Sequence, residues 1–260
     1  MMRACLLGLS IPLGIVAFQG CEEGPAGLSA QRELDLQASS KKLDISICAP
    51  EEGGFSIVST NPYFPLDVGN QWTYEGEEDG EPVELIITVL NLTRVIDGVT
   101  TRVLEEREFE DEDLVEVSWN YFVEASDGTV CYYGEDVDEF DNGDVVHEGA
   151  WCADEAGNAP GIIMPADPKP GMKYPNEVAP GIAEDEAKIV GIGPVTVPFG
   201  TFTETIRVRE FNPTDGDKGY KVFAAGMGLI IDEVLELVDF NESAAAPAGP
   251  IPTDQACGNV

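Results

Sequence analysis

Leu114-Val115-Glu116-Val117-Ser118-Trp119-Asn120-Tyr121-Phe122-Val123 alternates with a period of two: Val115, Val117, Trp119, Tyr121 and Val123 share one face, and Glu116, Ser118 and Asn120 the other. Successive side chains of a strand point to opposite sides of a sheet, so this stretch reads as a half-buried strand. Working outward, strand-like runs recur over 83–92, 99–109, 129–133, 145–151, 187–192, 202–211, 220–224 and 229–240. Asp79-Gly80, Asp97-Gly98, Asp127-Gly128, Asn142-Gly143 and Asp215-Gly216 punctuate them. Such dipeptides mark tight hairpins, whose central positions need φ > 0. The run 83–92 is apolar on both faces and so requires a cover. These features predict an all-β domain over 61–242, an antiparallel meander forming a curved sheet or barrel. One stretch breaks the rhythm: Pro160, Pro165, Pro168, Pro170, Pro175 and Pro180 lie within 21 residues. Proline cannot donate to a sheet ladder, so a long Pro/Gly-rich covering loop is expected there.

The 260 residues carry 14 Lys+Arg against 49 Asp+Glu, a net charge of −35. Nucleic acid is excluded as a partner, because phosphate binding needs clustered Lys and Arg. Hydrophobic content of 43% excludes a disordered acidic chain. The acids are concentrated: residues 108–167 hold 18 Asp+Glu and no Lys or Arg.

Met1-Met2-Arg3 followed by an apolar run to Phe18 has the build of a signal peptide over 1–20. Phe18-Gln19-Gly20-Cys21 resembles a bacterial lipobox, in which the Cys is lipidated and becomes the new N-terminus. The expectation is an exported protein held at the bacterial cell envelope by a lipid on Cys21, with membrane contact through that lipid. Residues 21–60 are polar and weakly patterned, as in a flexible tether, and 243–260 read as an extended tail. Cys48, Cys131, Cys152 and Cys257 remain, an even number suited to disulfides in an exported protein. Three pairings are open. The hairpin spacing favours Cys131–Cys152, and Cys48–Cys257 would tie the ends of the domain together.

Tyr63-Phe64-Pro65-Leu66-Asp67-Val68-Gly69-Asn70-Gln71-Trp72-Thr73-Tyr74 resembles the opening of a family of uncharacterised bacterial exported proteins and lipoproteins. Pro160-Gly161-Ile162-Ile163-Met164-Pro165-Ala166 and Gly226-Met227-Gly228-Leu229-Ile230 extend the resemblance. It implies an exported, all-β, envelope-associated protein and no known reaction.

Catalytic motifs are scarce. His147 is the sole histidine, and there is no Gly-x-Ser-x-Gly elbow or His-Glu-x-x-His pair. Trp72, Trp119 and Trp151 read as core. Ca²⁺ takes six to eight oxygen ligands, so acidic loops are its natural hosts. Glu135, Asp136, Glu184 and Asp185 are the first place to look for such a site. The leading functional expectation is a lipid-anchored, non-enzymatic structural, interaction or carrier module. The alternative is a Ca²⁺-stabilised acidic surface binding module, and the third a carboxylate-based hydrolase.

Overall fold

The structure is a computed structural model that describes residues 42–249 and 257, apart from 79, 142, 148, 214, 215 and 217. The expected leader over 1–20, Cys21 and the first half of the tether lie outside the described residues.

The period-two pattern yields long strands. Five run as a meander: β1 (Gln71–Glu78), β2 (Glu81–Ile96), β3 (Val99–Glu110), β4 (Asp113–Glu124) and β5 (Val130–Asp141). Short strands β6 (Asp144–Val146), β7 (Trp151–Cys152) and β8 (Gly161–Met164) all pair with β5. The second half comprises β9 (Lys173–Pro175), β10 (Glu186–Ile192), β13 (Thr205–Phe211), β14 (Tyr220–Ala224), β15 (Gly228–Asp232) and β16 (Leu235–Asn241). A separate ribbon is made by β11 (Val195–Val197) and β12 (Gly200–Phe202). β16 pairs antiparallel with β1, so the strand order is β6-β5-β4-β3-β2-β1-β16-β15-β14-β13-β10-β9. The sheet is all antiparallel and has two edges, so it is not a closed barrel. It is curved: side chains from β3, β4 and β5 share one cavity with side chains from β13, β14 and β15.

Asp97-Gly98 forms the β2–β3 hairpin, with Asp97 at φ 47 and Gly98 at φ 77. Asp111 and Glu112 make the β3–β4 turn at φ 49 and 71 without any glycine. The run 229–240 proves to be two strands, broken by a turn at Glu233, whose φ is 53. The run 145–151 is mostly loop between β6 and β7. Within the expected covering loop, β8 adds to β5 and β9 to β10, so the proline-rich segment joins both halves of the sheet.

Residues 42–60, expected as tether, are packed on the domain. Ser56 bridges Glu124, the Phe55 ring meets Tyr133 edge-on, and the Tyr133 hydroxyl donates to the Cys48 carbonyl. The Glu124 carboxylate accepts from the backbone N–H groups of Thr60 and Asn61 and from the Ser59 hydroxyl.

The disulfide pairing differs from the expected one. Cys48 bonds Cys131, while Cys152 and Cys257 are buried thiols beside each other. Register explains why Cys131–Cys152 does not form: Cys152 lies opposite Gly134, whereas Cys131 lies opposite Val123 and Ile162. Gly134 is obligatory there, since a Cβ would collide with the Trp151 carbonyl and crowd the Cys257 sulfur. Cys257 is held in place without a disulfide. Its N–H donates to Asp136 Oδ1 at 3.2 Å and its thiol to the Trp151 carbonyl at 3.0 Å.

Candidate functional site

Alternation along β4 creates the site in an unexpected way. The face carrying Glu116, Ser118 and Asn120 is turned inward, with Phe122, rather than toward solvent. In register with it, β3 presents Leu104 opposite Asn120 and Glu106 opposite Ser118. β5 presents Tyr132 opposite Phe122 and Glu135 opposite Asn120. Trp72 and Tyr74 of β1 continue this face, opposite Ile87 and Leu85 of β2. Curvature brings Glu210 of β13, Lys221 and Phe223 of β14, and Leu229 of β15 around to the other side. The covering segment closes the space with Ile163, Asn176 and Glu177, and Asp185 borders it just before β10.

The cavity, partly open to solvent, measures about 200 Å³. Its lining is mixed: Phe64, Trp72, Phe122, Tyr132, Phe223 and Leu229 supply apolar surface, and Glu106, Glu135, Glu177, Asp185 and Glu210 supply carboxyl groups. Lys221 is the single cation of the lining, and its Nζ lies 3.2 Å from Asp232 Oδ2 and 3.8 Å from Glu210 Oε2.

The other lining donors are committed to protein acceptors. Trp72 Nε1 donates to the Met227 carbonyl at 2.9 Å, and the Tyr74 hydroxyl to the Leu229 carbonyl at 3.0 Å. The Tyr132 hydroxyl donates to Asn120 Oδ1, and Asn120 Nδ2 to Ser118 Oγ. Asn176 Nδ2 donates to Glu210 Oε1 at 3.3 Å. Its Oδ1 is buried without a hydrogen-bond partner, although only 5% of the residue is exposed.

Desolvation disfavours the charged form of a carboxylate, and neighbouring negative charges add to that. Burial pushes Glu106 up to about 7. Glu177 is pushed up to about 8, first by burial and then by Asp185 and Glu210. Burial likewise holds Glu135 well above the ordinary carboxylate range, with Glu177 adding to it, and raises Glu210 against the opposing pull of Lys221. Near neutral pH several of these carboxyls thus keep their protons.

The four residues expected to share Ca²⁺ do not converge. Glu135 and Asp185 border the cavity. Asp136, next to Glu135 on β5, points to the opposite face of the sheet. There it bonds Arg94 at 3.4 Å and accepts from the Tyr121 hydroxyl. Glu184 stays outside, accepting from the Gly181 N–H at 3.3 Å. Among the described residues no group of three or more His, Cys, Asp or Glu side chains is placed to hold a metal ion. His147 lies away from the cavity, with Nδ1 2.8 Å from the Val137 carbonyl and 3.0 Å from Asp138 Oδ1. The three tryptophans are buried, and Trp72 also lines the cavity.

Sequence reasoning missed Glu106, Asn176, Glu177, Glu210 and Lys221 as partners in one site. The available signal was polar residues inside strands. Asn120 sits between Trp119 and Tyr121, and Lys221 between Tyr220 and Val222. Comparison of the chain with protein-family models, curated proteins and solved structures found no match, so the cavity's own chemistry carries the functional reading.

Proposed function

We propose that the chain is an exported protein, anchored at the bacterial cell envelope through a lipid on Cys21, whose β domain is a non-enzymatic binding module for one small ligand. The cavity supports this reading. A fully packed interior would suit a scaffold, whereas an unfilled space with an aromatic wall and a few convergent polar groups has the make-up of a ligand site. At about 200 Å³ and with five carboxyls it is too small and too polar for an acyl chain. A compact ligand with a polar head fits it.

The test is calorimetric titration of the purified chain with single-ring compounds bearing a cationic, neutral or anionic head. Leu229→Trp is the control, since it fills the half-buried rim of the cavity. Binding by one class, abolished in a folded Leu229→Trp protein, supports the module. No binding by any class, or binding that survives the plug, overturns it. Anchoring is tested by labelling cells with radioactive palmitate: the wild-type chain takes up label and Cys21→Ala does not.

One observation favours a second reading. Glu106 and Glu177 hold protons near neutral pH in a single cavity, as the general acid of a carboxylate-based hydrolase must. That reading predicts turnover of aryl glycosides, lost in Glu177→Gln. The binding module predicts that every ligand is recovered unchanged.

A further inference from the structure

We propose that Cys152 of β7 and Cys257 of the C-terminal segment form a second disulfide, which fastens the end of the chain to the sheet on the face opposite the cavity.

Placement comes first. Cys152 lies opposite Gly134 in the β5–β7 pair. A Cβ at position 134 would sit 2.9 Å from both the Cys152 Cα and the Cys257 sulfur. The glycine therefore leaves the space that the sulfur fills, directly beside Cys152. The Cys257 thiol donates to the carbonyl of Trp151, the residue before Cys152, at 3.0 Å, and the two thiols are within hydrogen-bonding reach of each other. The Cys257 N–H is fixed on Asp136 Oδ1 at 3.2 Å. Both cysteines are thus held against one short stretch of β5, residues 134–136, and both are buried. A disulfide forms only where the two backbones are already close and the side chains converge, as they do here.

The described part of the C-terminal segment shows what the bond would hold. Ala244 donates its N–H to the Gly69 carbonyl at 2.9 Å, and a Cβ on Gly249 would lie 3.0 Å from Arg107 Nη1 on β3. Cys257 then reaches Asp136 on β5. Two buried ion pairs lie on this face, Arg107–Glu105 and Arg94–Asp136. A buried pair is favourable only when further hydrogen bonds satisfy its remaining lone pairs. The Cys257 N–H supplies one of these to Asp136, and a cross-link keeps it there.

The chain already holds one disulfide, Cys48–Cys131. The loops closed by 48–131 and 152–257 do not overlap, so either bond forms without the other. The first encloses β1 to β4 and the second β8 to β16, one for each half of the sheet. In forming the second bond each thiol loses its proton and one sulfur–sulfur bond is made. The two electrons reduce the disulfide of a thiol oxidant to two thiols. The attacking group is a thiolate, and burial holds the Cys257 thiol well above its ordinary range, so the bond closes as the chain folds rather than after the segment has docked. In the cell this step rests on the export proposed above. A defined redox buffer tests it without export.

The experiment unfolds and reduces the purified full-length chain and refolds it in a mixture of oxidised and reduced glutathione. Remaining thiols are alkylated in denaturant, and the chain is cut with a Glu-specific protease, which separates Cys131 from Cys152 at Glu135 and Glu139. Mass spectrometry should find the Cys152 peptide joined to the Cys257 peptide, in wild type and in a Cys48→Ser/Cys131→Ser chain alike. In that variant reductant should lower the melting temperature by about 10 °C, since the remaining bond closes a loop of about 100 residues. Alkyl label on Cys152 and Cys257, or Cys257 joined to any cysteine other than Cys152, overturns the proposal. So does a melting temperature of the variant that reductant leaves unchanged. If the variant does not fold, the peptide map of wild type decides. A pair that links in the buffer but not in chain taken from cells upholds the bond and tells against export.

Discussion

Replacing Glu177 by Gln tests the electrostatics of the cavity without any ligand. Glu177 titrates near 8 in the folded chain, against about 4.5 for an ordinary glutamate, mainly because it is buried. Between those two values the folded chain binds more protons than the unfolded chain. A group of this kind contributes stability that is fully present below about pH 4.5 and is lost as pH rises through about 8. Each pH unit in that window removes up to about 1.4 kcal/mol, so Glu177 alone accounts for about 3–5 kcal/mol. At ~2–4 °C per kcal/mol for a domain of this size, melting should be lower at pH 8 than at pH 5 by about 10 °C. Self-repulsion of the acidic surface acts in the same direction, but salt screens it far more than it screens buried groups. The assay is thermal unfolding of wild type and Glu177→Gln from pH 4.5 to 8.5 in high salt. Glu177→Gln should lose about 1 kcal/mol per pH unit less than wild type and be the more stable protein at pH 8. Parallel pH profiles for the two proteins would refute the reasoning, as would wild-type stability that rises between pH 5 and 8.

Three further outcomes follow from the packing. Ser at both Cys48 and Cys131 opens a cross-link spanning 83 residues of chain and should cost ~4 kcal/mol, read as a fall in melting temperature. Arg94→Met removes the buried partner of Asp136 and should cost ~3 kcal/mol in urea unfolding. That is the low end of the range, because the Tyr121 hydroxyl and the Cys257 N–H still donate to Asp136; adding Asp136→Leu should restore part of the loss. A Cβ on Gly161 would collide with the Asn176 carbonyl, so Gly161→Ala should destabilise by ~1–3 kcal/mol. The same change shifts Asn176 and Glu177, so calorimetric titration should find the affinity for a single-ring ligand reduced even where the fold persists.

The fold class was legible because β4 announces its own period, and the hairpin at Asp97-Gly98 lies where the dipeptide marks it. What alternation cannot reveal is which face meets water. Glu116, Ser118 and Asn120 share the polar face of the strand, yet curvature turns Asn120 into the cavity, while Trp119 and Tyr121 pack against Glu105 and Asp136 on the other side. The period likewise says nothing about register, and register decided the disulfide by setting Gly134 opposite Cys152. Of the acids marked in advance, Glu135 and Asp185 do border one site. Their partners come from strands far apart in the chain, Glu106 on β3 and Glu210 on β13, and the pairing of β16 with β1, with the proline-rich segment bridging β5 and β10, brings them together. Asp136 was legible as an acid and misplaced as a ligand, because adjacent residues of a strand point to opposite sides.

The central claim is that the cavity is a built receptacle for one small ligand. A crystal structure of the full-length chain with the single-ring compound that binds it most tightly tests the claim most directly. The account predicts a ring lying among Trp72, Phe122 and Tyr132. A cavity that holds only water, or that collapses with Phe223 and Leu229 packed into it, would contradict the account.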